Sequence, residues 1–238
     1  MGLNVEGGTD PFESRGAGMY RTPTRTSGWF YVSTNPSRST IFSFNPNIQH
    51  AANGMYAYRL SLSTTLKPGT QTELSLSPEL SITRHELGWV NNLVGVEAPH
   101  QPTSIFGERA IDRLSMTLRF MHTLNPDLSI QWYSQYIWAR GHYSRFYRLR
   151  EDGYLENLPF TYDRDAYGNP DFNRSALNIN LVIRYEYLPG STLFLVWTHS
   201  RDVFSDDVAR GMLGFARETL TAPALNAFLI KVTYAFNL

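Results

Sequence analysis

Cysteine is absent from the 238 residues, and charged side chains make up only 18% of them. Without cysteine there is no disulfide framework, no thiol nucleophile and no Cys-ligated metal. The charge that is present balances, with 21 basic against 21 acidic groups, which excludes the net basic footprint of a nucleic-acid binder. Long apolar runs are missing too. The clearest, Leu193 to Trp197, falls far short of the ~18 residues of a membrane helix, so a helical membrane protein is excluded. A membrane β-barrel is not, because its strands alternate and never build such a run. The first ten residues have neither the cationic start nor the apolar core of a signal peptide.

Catalytic signatures are equally scarce. The histidines at 50, 85, 100, 122, 142 and 199 make no metal-ligand spacing, and His85-Glu86-Leu87-Gly88-Trp89 lacks the second His of a zinc-protease motif. No Gly-x-Ser-x-Gly elbow and no phosphate-binding loop occurs. The sequence therefore implies no enzyme activity and no cofactor.

What the sequence does contain is period-two alternation. Tyr56, Tyr58, Leu60 and Leu62 alternate with Arg59, Ser61 and Ser63. Leu114, Met116, Leu118 and Phe120 alternate with Ser115, Thr117 and Arg119. Leu177, Ile179, Leu181, Ile183 and Tyr185 alternate with Asn178, Asn180 and Arg184. Such segments read as strands with one apolar and one polar face. Many run for about ten residues or more, beyond the usual five or six of a globular strand and close to the ~9–11 that cross a bilayer.

Nine strands are expected, over about 27–35, 38–46, 54–66, 70–84, 108–123, 127–141, 173–188, 191–202 and 225–238. Short Pro- or Gly-containing turns (35–38, 67–69, 125–127, 189–190) alternate with longer polar connections (46–54, 84–108, 141–173, 202–225). Sorting loops by end in this way is a habit of transmembrane barrels. The expected fold is all-β, an antiparallel transmembrane β-barrel, with one short helix in the last long loop, capped by Ser205 and carrying Val208, Met212, Phe215 and Ala216 at helical spacing. A soluble β-sandwich that binds or cleaves polysaccharide also alternates and is the competing expectation. Nine is odd, whereas bacterial single-chain barrels are even. On this count residues 1–238 are the C-terminal part of one longer barrel domain, with residues 1–26 beginning outside the cell.

The C-terminal third carries a resemblance. Asn169-Pro170-Asp171-Phe172, followed by Leu181-Val182-Ile183-Arg184-Tyr185-Glu186-Tyr187-Leu188-Pro189-Gly190-Ser191-Thr192-Leu193-Phe194-Leu195-Val196-Trp197, closely resembles a signature NPDF … VLRWEYRPGSTLFLVW. Asn226 to Tyr234 is similar to its ending NVFLVKVSYW. That signature belongs to the C-terminal outer-membrane barrel known as domain of unknown function 5916, found downstream of a family 9 carbohydrate-binding module. Tyr185 replaces the family's usual Trp, and Ala235-Phe236 departs near the terminus. The resemblance implies an outer-membrane location, lipid and the barrel assembly machinery as partners, and a carbohydrate ligand reached through an upstream module.

Candidate functional residues follow from these expectations. The last strand, with Phe228, Ile230, Val232, Tyr234 and Phe236 on one side, fits the assembly signal that outer-membrane proteins carry. Arg59, Glu73, Arg119, Arg184, Glu186 and Lys231 fall on the polar faces and are expected to form a mixed-sign network inside the lumen. Trp29, Trp132, Trp138, Tyr187 and Trp197 suit interfacial aromatic girdles. Asp163, Asp165 and Asp171 around a Gly turn faintly resemble a calcium loop but lack its bidentate Glu, so no metal site is expected there. Arg140, Arg145, Arg148 and Arg150 are expected to meet lipid phosphates or loop carboxylates.

Overall fold

Ten strands lie side by side in sequence order in the computed structural model, which describes residues 2–94 and 102–236. They are β1 (Gly2–Asp10), β2 (Tyr20–Trp29), β4 (Thr40–Ala51), β5 (Tyr56–Leu66), β6 (Thr72–Val94), β7 (Pro102–Asn125), β8 (Leu128–Leu149), β10 (Phe172–Leu188), β11 (Ser191–Ser205) and β12 (Leu225–Thr233). Two short strands, β3 (Val32–Ser33) and β9 (Leu155–Asn157), pair with β4 and β8 and complete a 12-stranded antiparallel sheet. Helices α1 (Arg164–Tyr167) and α2 (Met212–Thr221) lie in the two longest described connections. The sheet is open, with β1 and β12 as its edges.

Several expected boundaries are corrected. Residues 2–10 and 20–29 are strands, so the path holds ten strands rather than nine and the odd-count argument fails. The expected strand 27–35 is the second half of β2 continued by β3, both held against β4 in one unbroken register (Arg25↔Ala51, Trp29↔Asn47, Val32↔Phe44). Pro46 explains the gap between β2 and β3. It faces Phe30, accepts that residue's N–H at 3.4 Å, and has no N–H to return. The same proline marked the end of the expected strand 38–46, yet β4 runs on to Ala51. The expected loop 46–54 is therefore a four-residue turn, and connections at the two ends are less sharply sorted than expected.

Most of the described part of the loop expected at 84–108 is strand, and strand also takes the first nine residues of the one expected at 141–173. β6, β7 and β8 reach 23, 24 and 22 residues, because β-bulges carry them past the point where alternation breaks. The ladder shifts between Thr83 and Glu86 and again between Gly107 and Arg109, and His85 takes φ of 56° at the first of these shifts. An inserted residue reverses the phase of every side chain beyond it, which hides the continuation from a period-two reading. Phe172, where β10 begins, pairs with Gly141 of β8, and a Cβ on Gly141 would stand 2.3 Å from the Phe172 ring. Gly141→Ala is expected to displace that ring and cost about 1–3 kcal/mol, measurable as a lowered urea midpoint.

Register sorts the side chains cleanly. One rung reads Leu66–Leu74–Phe120–Trp132–Leu181–Trp197–Phe228 across seven strands, every residue apolar. Ile130–Ile183–Leu195–Ile230 is another. On the opposite face, Ser77–Thr117–Gln135–Asn178–Ser200 is polar throughout. From Leu128 to Trp138 the apolar side of β8 spans about 33 Å of strand. At a tilt of ~40° that is a band about 25 Å tall, the height of the lipid-facing belt of outer-membrane barrels.

Candidate functional site

The largest chemical feature is the apolar face itself. Leu62, Leu76, Leu80, Met116, Leu195 and Ile230 all point from it with 38–71% of their surface exposed. Among the described residues one sheet holds every strand, so no second sheet lies over these side chains. The tryptophans gather here as well. Trp132 and Trp197 stand 6.3 Å apart, and Phe228 stacks on Trp197 at 6.5 Å. Trp29 departs from the expected girdle, because it pairs with Asn47 and so shares the polar face with Arg59.

The expected assembly strand is shorter than its sequence suggested. β12 ends at Thr233, with Phe228, Ile230 and Val232 opposite Trp197, Leu195 and Leu193 on the apolar face. Tyr234 and Phe236 lie beyond the strand, their rings 4.8 Å apart edge to face. The last two residues of the expected strand lie outside the described residues.

All six expected lumen residues share the polar face, but they do not make one network. Arg184 binds Glu186 at 2.6 Å, while Glu73 meets Lys67 at 3.8 Å and Arg59 meets Glu79 at 3.7 Å. Arg119 lies over the Tyr133 ring and Lys231 over the Phe194 ring. Phe194 stands between Arg184 and Lys231 on one rung, and Arg119 sits opposite Ser75. Interposed neutral side chains thus keep the charges in separate pairs.

The denser ionic clusters lie beyond the apolar band, at the ends of the expected strands and on the stretches expected as loops. The Asp112 carboxylate accepts Arg84 at 2.6 Å on one oxygen and Arg140 at 2.7 Å on the other. Glu108 joins His85 at 2.7 Å and Arg145 at 2.6 Å. Partial burial of Glu108 works against ionisation, but hydrogen bonds from His85 and Arg145 hold its carboxyl below the usual range. Arg148 and Arg150 pair with Glu156 and Asp152. All four arginines of the expected cluster therefore meet carboxylates. Asp112→Asn removes the charge that two guanidiniums share. It is expected to cost about 1–3 kcal/mol, at the low end because all three groups keep some solvent contact, and a urea titration reads it directly.

Two of the three candidate calcium ligands, Asp163 and Asp171, are committed elsewhere. Asp163 caps α1 by accepting from the N–H groups of Asp165 and Ala166. Asp171 accepts the Tyr143 N–H at 2.7 Å and pairs with Arg164 and His142, both at 2.9 Å. Among the described residues no group of three or more His, Asp or Glu is placed to hold a metal ion.

The helix of the last loop starts later than expected. Ser205 accepts from Asp207 N–H in a turn, Val208 offers its carbonyl to Arg140, and α2 begins at Met212 after an N-cap glycine with no side-chain cap. It packs on the sheet through Phe215 and Thr219, both fully buried. Ser175 and Arg201, which meet the helix, and Arg140 and Asn173, which hold the segment leading into it, stand on the apolar face next to Trp138 and Leu177. The helix therefore packs against the apolar face of the sheet.

With this geometry in view, the comparisons with known proteins add one match. The model of a family described as domain of unknown function (DUF5916) matches residues 1–237, so the chain belongs to that family. None of the curated proteins matches it.

Proposed function

We propose that this member of the DUF5916 family forms part of the wall of a β-barrel in the cell outer membrane, with no catalytic role. It acts as a pore or as the membrane anchor of an upstream periplasmic carbohydrate-binding module. The observation that carries this reading is the apolar rung across seven strands, exposed on a face of membrane height. Soluble monomers rarely expose contiguous apolar patches beyond a few hundred Å². In lipid the same surface is at home, while the polar face turns to a lumen. A soluble sandwich would need a second sheet over that face, and every strand of the described residues belongs to one sheet.

The partners that follow are outer-membrane lipid along the apolar band and the assembly machinery at β12. The two edges, β1 and β12, are nine residues long, and the outward-pointing half of their backbone groups is left without partners that lipid could supply, at several kcal/mol per unpaired group. In a membrane these edges must be paired. Full-length protein is expected in the outer-membrane fraction and to migrate faster on gels unheated than boiled. A monomer soluble without detergent overturns the proposal. Planar-bilayer recordings separate the two roles, since stepwise currents mark a pore and a silent inserted barrel marks an anchor.

A further inference from the structure

We propose that α2 lies in the membrane–water interface on the lipid side of the barrel, with Leu213, Leu220 and Arg217 turned toward the bilayer. This rests on the barrel reading above. The helix stands on the apolar face immediately beyond its last apolar positions, since Ser175, which meets Thr219, pairs with Trp138 and precedes Leu177 by two residues.

Its rotation is fixed by its contacts. Phe215 and Thr219 occupy the wall side. Asn173, two residues farther from the band than Ser175, donates to the carbonyls of Asp207 at 3.0 Å and Arg210 at 2.9 Å. Arg210 in turn binds Glu218 at 2.8 Å, so the Glu218 flank faces away from the band. At 100° per residue, Leu213 and Leu220 lie roughly 140–160° around the helix from Glu218 and therefore face toward the band.

Both leucines are open, 78% and 63% exposed. In a loop surrounded by water, that flank has no reason to be apolar. Arg217 sits beside them and makes no ion pair among the described residues. Two leucines and a free arginine on the membrane-facing flank, opposite a paired Glu218, match interfacial helices, whose cations reach lipid phosphates while apolar neighbours enter the acyl boundary.

The absence of cysteine from these residues allows clean labelling. Single substitutions Leu213→Cys, Leu220→Cys, Glu218→Cys and, as a reference in the band, Leu80→Cys are made in the full-length protein. Each is spin-labelled and reconstituted in phosphatidylcholine–phosphatidylglycerol vesicles. All four side chains are at least partly exposed, so the labels leave the fold intact, and heat-modifiable migration verifies it for each. Labels at 213 and 220 are expected to collide several-fold more with oxygen than with a water-soluble nickel chelate, at a shallower depth than the label at 80, while the label at 218 shows the reverse. If 80 is in lipid but 213 and 220 are as water-exposed as 218, the interfacial helix is wrong and the barrel stands. If 80 itself is water-exposed, the barrel reading fails and α2 has no membrane to meet.

Discussion

Leu181→Arg is expected to destabilise the inserted protein by about 2–4 kcal/mol, the cost of an arginine on the lipid face at the bilayer midplane. That is about 30- to 900-fold in the folding equilibrium. Leu181 stands between Trp132 and Trp197 in the seven-strand apolar rung, so the guanidinium has no polar partner on its own level. Its neighbour Asn180 projects to the other face, where its side chain accepts from Thr198 at 2.9 Å. Asn180→Arg is expected to cost less than about 1 kcal/mol beyond that hydrogen bond, because the charge enters a polar surface. Urea titration of the reconstituted protein measures both. Equal sensitivity at 180 and 181 would mean that the two faces meet the same medium. The same contrast applies at the edge, where Val232→Arg should be costly and Lys231→Gln nearly neutral.

Phe215→Ala is expected to release α2 without unfolding the sheet. The ring is fully buried and is the main apolar contact between the last long connection and the wall. Removing a buried phenylalanine costs about 3–5 kcal/mol. The loss falls on a local element, since the sheet ladders beneath do not depend on it, so the open population of this connection rises about 100-fold or more. Trypsin then gains access to Arg210 and Arg217 in the intact protein, and cleavage accelerates by a similar factor when opening and closing are fast relative to cleavage. An unchanged cleavage rate would show that polar ties from Asn173, Arg140 and Arg201 hold the segment unaided. The unfolding midpoint of the sheet should stay close to that of the parent protein.

Much of the sheet was legible because alternation of apolar and polar side chains is a strong code. Strands β5, β10 and β11 fall within a few residues of expectation, and the polar-face grouping of Arg59, Arg119, Arg184 and Lys231 follows from parity alone. Three kinds of information were not written in period two. Bulges at 83–86 and 107–109 reversed the phase and hid ten, six and eight residues of β6, β7 and β8. Pro46 looked like a terminator, although its missing N–H interrupts only the pairing partner, between β2 and β3, and β4 itself runs on. The N-terminal strand β1 carries Gly7 and Gly8 beside a register shift, so only Leu3 and Val5 alternate clearly.

The site was less legible than the fold for a related reason. Asp112 and Glu108 each gather partners from β6 and β8, far apart in sequence, and these partners become visible only once the register is known. Charge composition announced balance but not who balances whom. Family membership names no activity, so function rests on the apolar face and on what covers it.

Contact between that face and lipid is the central claim, and brominated lipids test it through residues the protein already has. Trp132 and Trp197 lie in the apolar rung, whereas Trp29 shares the polar face. In vesicles of dibrominated phosphatidylcholine, the full-length protein should show a quenched tryptophan component that is largely lost in the Trp132→Phe/Trp197→Phe double variant and persists in Trp29→Phe. Quenching that is absent, or that disappears only with Trp29, would contradict the placement of this face in the membrane.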